Sequence, residues 1–455
     1  MASIQNKKIG FVEEVVAGTI PATPKFQTVA LNKAEATFTA ENESIDGNNT
    51  TKGRGVAGGK SVGLSSNASV ALDLNYGFME SPLIKSAMWN DWDEKIRSTI
   101  TADATSTSII VDDETGFAIG DIVACKGSKA VITGVSANQI DVDVALASAL
   151  VGYELVLVGV NVTGVDIDGS KIVSTGSFNF TNLDIVVGQY IKVAGFTTAE
   201  NNAWVRVLSV SSTEMIVDVT PTGWTDEVVA GAIEFYIGDT IIDGSIKKSL
   251  TAHVDYTDLS SGGYRYMRGL IADTLDITAE SKGHIACTAE FLGLETLNQT
   301  TPVAGQTDVA SYEANFMDAS NNIGRFVIDG QDLSDDNIVT AYGINIANNV
   351  SQLWGIGSKY PQIVDSGNFV LTGNLTVLLN DIEQFEKAAN NQDLSICITN
   401  TIDSQSVLFN IPRLNFTGID ESTSDNTIVA DQPFSAKESQ ELGYTLMVQK
   451  FEAFA

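Results

Sequence analysis

Few side chains in this chain could do chemistry, and their spacing argues against it. There are 2 histidines and 3 cysteines in 455 residues. His253 and His284 stand far apart, and neither has a nucleophile elbow or triad spacing around it. His253 lies in Ser249-Leu-Thr-Ala-His-Val-Asp-Tyr256, an alternating strand in which a half-exposed structural histidine is expected. Cys125, Cys287 and Cys397 are scattered singly in apolar, strand-like runs. With no CxxC pair, zinc and thioredoxin-type chemistry fall away and buried small hydrophobes are expected. The odd count fits synthesis in a reducing cytoplasm.

Three other patterns invite a ligand. Gly58-Gly59-Lys60-Ser61 looks like the end of a phosphate-binding loop, but the required glycine five positions before Gly59 is Arg54. Without that glycine, or a βαβ context, the segment reads as a flexible loop. Asp112-Asp113-Glu114 and Asp335-Asp336 lack the ligand spacing of a calcium loop and read as solvated turn acids. Asp166-Ile-Asp168-Gly169 places two acids before a glycine, a pair that can share a cation or simply face solvent. No cofactor or resident metal is expected, and no enzymatic activity.

Charge excludes more. The 57 acidic residues outnumber 26 basic ones, for a net charge of −31. That opposes a nucleic-acid grip, which neutralises phosphates with Lys and Arg, and opposes docking on anionic lipid. A hydrophobic content of 44% rules out disorder. Like charges keep a crowded protein soluble. Met1 to Phe11 carries Lys7 and Lys8 without a following apolar run, and no stretch approaches the ~20 apolar residues of a membrane span. A soluble chain without a cleaved leader is expected.

The elements that would position these residues are mostly strands. Ala68 to Tyr76 alternates, with Val70, Leu72 and Leu74 on one face. Asn368 to Asn380 is strand-like with Gly373 as a bulge candidate, and Ser406 to Pro412 must end at an edge or terminus because proline cannot donate to a ladder. Leu442, Tyr444, Leu446 and Val448 share a face of the closing strand. Two short helices interrupt: one capped by Ser81 with Pro82 at its first position, the other from Asp381 to near Asn390. Trp89 and Trp92 follow the first helix, as a lid on the core or as anchors in a subunit interface.

A near-repeat occupies the middle. Gly116-Phe-Ala-Ile-Gly-Asp-Ile-Val-Ala-Cys-Lys-Gly127 and Leu183-Asp-Ile-Val-Val-Gly-Gln-Tyr-Ile-Lys-Val-Ala-Gly195 share one pattern, and each is followed by an alternating strand and a short one. Gly120 and Gly188 supply the turn before the strand, where positive φ favours glycine. The reading is mainly β: a sandwich or barrel with a flanking α-helix, made by residues 1–96 and 246–455, plus an inserted β-domain over 97–245. Its two related units run about 97–165 and 166–245. Asn42 to Leu64, rich in Gly, Asn, Ser and Thr, reads as one long loop between strands, and loops of that length are usually functional or disordered.

The opening Gly10 to Pro24, followed by Phe26, resembles the start of tail tube proteins of long-tailed bacteriophages. Glu14, Gly18, Thr19, Pro21, Ala22, Thr23, Pro24 and Phe26 stand at the family's "E…G-T-x-P-A-T-P-x-[FY]" places. Glu41 to Ser44, Gly283 to Gly293 and Asn410 to Phe416 resemble further family segments, in order. The resemblance covers roughly residues 1–96 and 246–455, and the Gly188 to Phe196 unit is similar to modules inserted in such proteins. It implies a structural virion protein, made in the host cytoplasm, whose homohexameric rings stack into a tail tube. DNA would pass through the bore without specific binding, and an acidic bore would let it slide. Tail terminator, tape measure and distal tail proteins would be partners; a membrane would not. Asn48, Lys52, Arg54 and Lys60 would make inter-ring contacts, while Pro21 and Pro24 organise the N-terminal strand. A β-modular capsid-decorating or surface-adhesion protein is the competing reading, and an enzyme on a β scaffold a further one.

Overall fold

The computed structural model describes residues 7–29, 36–50, 56–104, 106–146, 148–256, 258–259, 262–310, 315–332, 339–378, 390, 392–424 and 427–454. For 46–50, 56–58, 331–332, 423–424 and 427 it describes backbone alone. Strands β1 (Lys7–Glu13) and β2 (Lys25–Thr28) open the chain, and β3 (Thr37–Thr50) and β4 (Val56–Asp73) form a long hairpin. Helices α1 (Tyr76–Met79) and α2 (Pro82–Met88) follow. Then come β5 (Arg97–Ala102), β6 (Ser108–Val111), β7 (Asp121–Cys125), β8 (Ser128–Ser136), β9 (Gln139–Val142) and β10 (Glu154–Thr163). The second set is β11 (Val165–Asp168), β12 (Lys171–Ser174), β13 (Tyr190–Ala194), β14 (Trp204–Val210), β15 (Glu214–Asp218) and β16 (Ala232–Tyr236). The chain returns through β17 (Asp239–Ile242), β18 (Leu250–Tyr256), β19 (Tyr264–Glu280), β20 (Ala286–Gly293), β21 (Glu295–Gln299), β22 (Thr307–Val309), β23 (Ile323–Ile328), β24 (Gln331–Asp332) and β25 (Val339–Ala347). It closes with β26 (Ser351–Trp354), β27 (Pro361–Asp365), β28 (Val370–Leu378), β29 (Leu394–Ile402), β30 (Gln405–Phe416), β31 (Asp420–Ser424), β32 (Thr427–Ala436) and β33 (Met447–Phe451). The protein is mainly β.

One bent strand joins the two sheets of the body. The first half of β19 pairs with β18 and β21, the second half with β20 and β25. The bend falls at Gly269, whose φ of 67° favours glycine, and a Cβ there would collide with the Leu294 side chain. The buried Glu14 carboxylate secures the bend, accepting from Gly269 N–H at 3.0 Å, the Thr251 hydroxyl at 2.5 Å and Gly18 N–H at 2.7 Å. Burial still pushes this carboxyl above its ordinary pKa, because neutral donors replace water only in part. Between the sheets lies one core. Ile9, Phe11, Leu250, Val254 and Met267 enter from one side, Val70, Leu72, Leu275, Ile277, Phe291, Ile344 and Leu371 from the other.

The first helix forms where the sequence places it, and Leu83, Ile84, Ala87 and Met88 are all buried. Ser81 does not cap it through its side chain; its hydroxyl donates back to the Phe78 carbonyl at 2.6 Å. The second expected helix lies outside the described residues, apart from Asn390. Gly373 is not a bulge: the register with β25 and β32 runs through it unbroken. A Cβ at Gly373 would overlap the Gly343 carbonyl and the Phe434 ring, so close approach explains the glycine. Pro412 is neither edge nor terminal, for β30 continues to Phe416. It sits at a register shift against β29, where β30 exchanges β33 for β32 as its other neighbour, so no ladder bond is lost. The closing strand begins at Met447, so Leu442 and Tyr444 precede it.

The middle strands make a separate sheet. β5 through β16 form twelve strands whose ladders include no body strand among the described residues. β5, β6, β9, β8, β7 and β10 close a ring, since β10 pairs with both β5 and β7. β11, β12, β15, β14, β13 and β16 repeat that order, and β16 continues onto the far half of β10. The repeat holds in detail. Gly120 and Gly188 have φ of 93° and 89°, and their N–H groups donate to Ile132 and Val207 carbonyls. Asp121 and Gln189 each accept, through the side chain, from the N–H three residues earlier. Each unit has its own core. A charged seam fastens this sheet to the body. Asp239 accepts from Arg97 at 2.5 Å, and fully buried Lys450 reaches Glu80 at 2.5 Å and Asp239 at 3.5 Å.

Replacing Glu14 with alanine strands two backbone N–H groups and a hydroxyl. Urea unfolding of Glu14→Ala should show a loss on the order of 3 kcal/mol, against less than about 0.5 kcal/mol for the exposed Glu290→Ala. Equal losses would remove Glu14 from this role.

Candidate assembly surfaces

The outer face of the larger body sheet is the least ordinary surface of the molecule. It spans β4, β20, β19, β25, β28 and β32 in hydrogen-bonded order. Core residues occupy alternate positions, so the ladders fix what faces out. One row across the face reads Ala71, Thr288, Asp276, Asn345, Thr372 and Ser435. The next reads Asp73, Ala286, Thr278, Gly343, Asn374 and Pro433. Glu290 and Glu280 add carboxylates in flanking rows, and Asp431 opposes Thr376. Where these six strands pair across the face, no outward position is Lys or Arg; Lys282 and His284 stand in the turn beyond β19. Short Ser, Thr and Asn side chains hold the acids in place. Asn345 donates to Asp276 at 2.5 Å and Thr376 to Asp431 at 2.6 Å.

The second surface corrects the sequence reading. Residues 42–50 and 56–64 are not loop but the outer part of the β3–β4 hairpin, paired from Glu41 with Ser65 out to Thr50 with Val56. Its polar, glycine-rich composition hides the strands: Glu41 to Ile45, Lys60 and Val62 are exposed, so little burial writes an apolar alternation into it. β20 supports β4 only from Ser66 to Asp73. Beyond that, among the described residues, the arm's two strands pair only with each other, over about 30 Å at ~3.3 Å per residue. Register shifts at Glu43/Ser44, Asp46/Gly47 and Gly47/Thr50 add local twist. Ile45 and Val62 are exposed on the arm, as are Glu41, Glu43 and Lys60. Lys60 lies on β4 opposite Ile45, which also ends its phosphate-loop reading. Asn48 is described in backbone only, and Lys52 and Arg54 lie outside the described residues.

Other expected site residues fall elsewhere. Pro24 is buried just before β2, and its carbonyl accepts from Thr307 at 2.9 Å, seating β22 parallel to β2; Pro21 is half-buried. Trp89 is buried with Ile271, Val350 and Val364, and Trp92 is in the body core beneath the Lys450 ammonium. Both indoles are therefore covered inside one subunit. Asp166 accepts from Val229 N–H at 2.8 Å, and no metal-binding group of three ligands occurs among the described residues. All three cysteines are buried and unpaired, with thiol pKa values raised first by burial.

His253 is fully buried rather than half-exposed. Phe26, Tyr264 and Tyr266 surround its ring, and Gln306 approaches it at 3.3 Å. The sequence does not show this because Phe26 and Gln306 come from distant segments. Burial, only partly countered by Asp308 and reinforced by Lys8, pushes its pKa down to about 4. The role of Glu14 was missed too. Its signal was present as a place in the family-like opening, but its partners Thr251 and Gly269 are over 200 residues away.

A family model described as phage tail tube protein matches residues 4–436. The chain belongs to that family and is a structural component of the phage tail, where such proteins self-assemble into the tube. No curated protein matches the chain. No described helix is long and apolar enough to cross a membrane.

The neutral imidazole gives a pH test. The unfolded chain binds a proton near pH 6.5 and the folded chain only near 4, so stability is complete above 6.5 and falls as pH drops toward 4. Between pH 6.5 and 5 the loss from this group should be about 1.6 kcal/mol. Denaturant unfolding at the two pH values should show a difference smaller by that amount in His253→Gln.

Proposed function

We propose that copies of this chain close into homohexameric rings, that the rings stack into a tube, and that the six-strand acidic face lines the bore. The observation that carries this is the face itself: Asp73, Asp276, Glu280, Glu290 and Asp431 on one surface whose paired positions hold no Lys or Arg. A wall of carboxylates and short hydroxyls repels a phosphate backbone and gives it nothing to bind, so DNA slides without being held. The protein performs no catalysis. Edge strands of neighbouring subunits pair around the ring, which removes open edges as in a barrel.

The β3–β4 arm belongs to the stacking contact. An isolated two-stranded hairpin is marginal in water, so an arm of this length gains its stability from the next ring. Asn48, Lys52, Arg54 and Lys60 make that contact, with Pro21 and Pro24 ordering the strand beneath. Residues 97–245 act as an inserted domain of two units on the body formed by 1–96 and 246–455. Tail terminator, tape measure and distal tail proteins meet the tube at its ends and within it; no membrane is involved. A capsid-decorating protein would stay monomeric or trimeric.

Negative-stain microscopy of the purified protein tests the reading: tubes with a central channel are expected, and a solid or ringless assembly would refute it. Deleting Gly47 to Gly59 should leave a folded subunit that no longer polymerises, scored by sedimentation. Tubes carrying Asp276→Lys and Glu290→Lys should acquire salt-sensitive DNA binding that wild-type tubes lack, read by co-sedimentation in about 50 and about 200 mM salt.

A further inference from the structure

Resting on the stacked-ring reading, we infer that the β26–β27 ribbon carries a second stacking contact, made to the Phe316 corner of the next copy. The ribbon is a two-stranded sheet of its own. Its inner side is accounted for: Val350 and Val364 are buried against Trp89 and Ile271. Its outer side is apolar as well. Leu353 and Ile363 form an exposed cross-strand pair, Trp354 is exposed at the end of β26, and Ile356 stands fully exposed in the turn between Gly355 and Gly357. A strand pair with one solvated face alternates apolar and polar residues, whereas apolar residues on both sides mark a strand covered on both. The body covers one side of the ribbon, so an assembled neighbour covers the other.

Position identifies that neighbour as another copy of this chain. The ribbon lies against the arm: Leu64 N–H donates to the Lys359 carbonyl at 2.7 Å, and Gln352 donates to Gly293 at 2.6 Å and to Asn67 at 3.3 Å. Whatever receives the arm therefore meets the ribbon. These contacts put the ribbon at the Gly293 end of β20. The Ala286 end, about 25 Å away along the strand, leads to the bridge between His284 and Asp318. Phe316 is exposed there, held in place by the buried Met317 next to it, whose N–H donates to the Leu74 carbonyl. Head-to-tail stacking is heterologous, so it brings the Gly293 end of one copy to the Ala286 end of the next. An exposed phenyl ring is then opposite an exposed aliphatic turn.

Wild-type protein, Ile356→Asp and Phe316→Asp are compared by negative stain and sedimentation, with circular dichroism confirming that each folds. Each variant should lose at least tenfold of the tube mass formed by wild type. An equal mixture of the two variants should give pairs of rings and no tubes, because each retains the half of the contact that the other lacks. Normal tubes from either variant, or no pairing in the mixture, overturn the inference and leave the stacked-ring reading standing. Wild-type protein that never forms rings or tubes overturns both. Should the Ile356→Asp substitution unfold the subunit, Ile356→Ser carries the same test.

Discussion

The body of this protein depends on one buried carboxylate. Glu14 ties three segments together: the turn at Gly18, the start of β18 at Thr251 and the bend of β19 at Gly269. Without a fixed bend, β19 could not serve both sheets, and the core between them would have one wall. Desolvating a carboxylate costs free energy, and only its full set of donors makes the site tolerable. The two sheets, the acidic face and the base of the arm all take their places from that corner.

From the corner outward, the molecule separates its duties by surface. Alternation in six strands sends aliphatic residues inward and short polar or acidic ones outward, so a stable core and a face whose paired positions hold no Lys or Arg are two products of one register. The arm and ribbon leave the same end of this sheet and show the opposite economy, with strands unsupported or apolar on both sides. In the proposed tube a neighbouring copy would complete both elements, in keeping with the tail tube family to which the chain belongs.

Several features were legible in the sequence for physical reasons. Ser81-Pro82 and the following apolar face announce α2, and Gly120 and Gly188 mark equivalent positive-φ turns, because local conformation there depends on the residues themselves. The failures share a different cause. The sequence shows a loop between Asn42 and Leu64 because the usual apolar signal records burial within the chain, and residues such as Glu41 to Ile45 and Lys60 are exposed. At Gly373 and Pro412 the sequence shows only each residue's own conformational rule, whereas a Phe434 ring and an exchange of neighbouring strands decide their surroundings. The acidic face could not be assembled from sequence at all. Each strand contributes at most two acids, and only the ladders between distant segments place them together.

The strand shared by the two middle units sets their mechanics. β10 closes the ring of the first unit and gives β16 of the second its neighbour, so no flexible tether separates them. Entry at Arg97 and exit at Asp239 are pinned side by side by an ion pair. A pull on either unit is carried as shear along backbone hydrogen bonds into a single root. The pair will therefore sway as one lever.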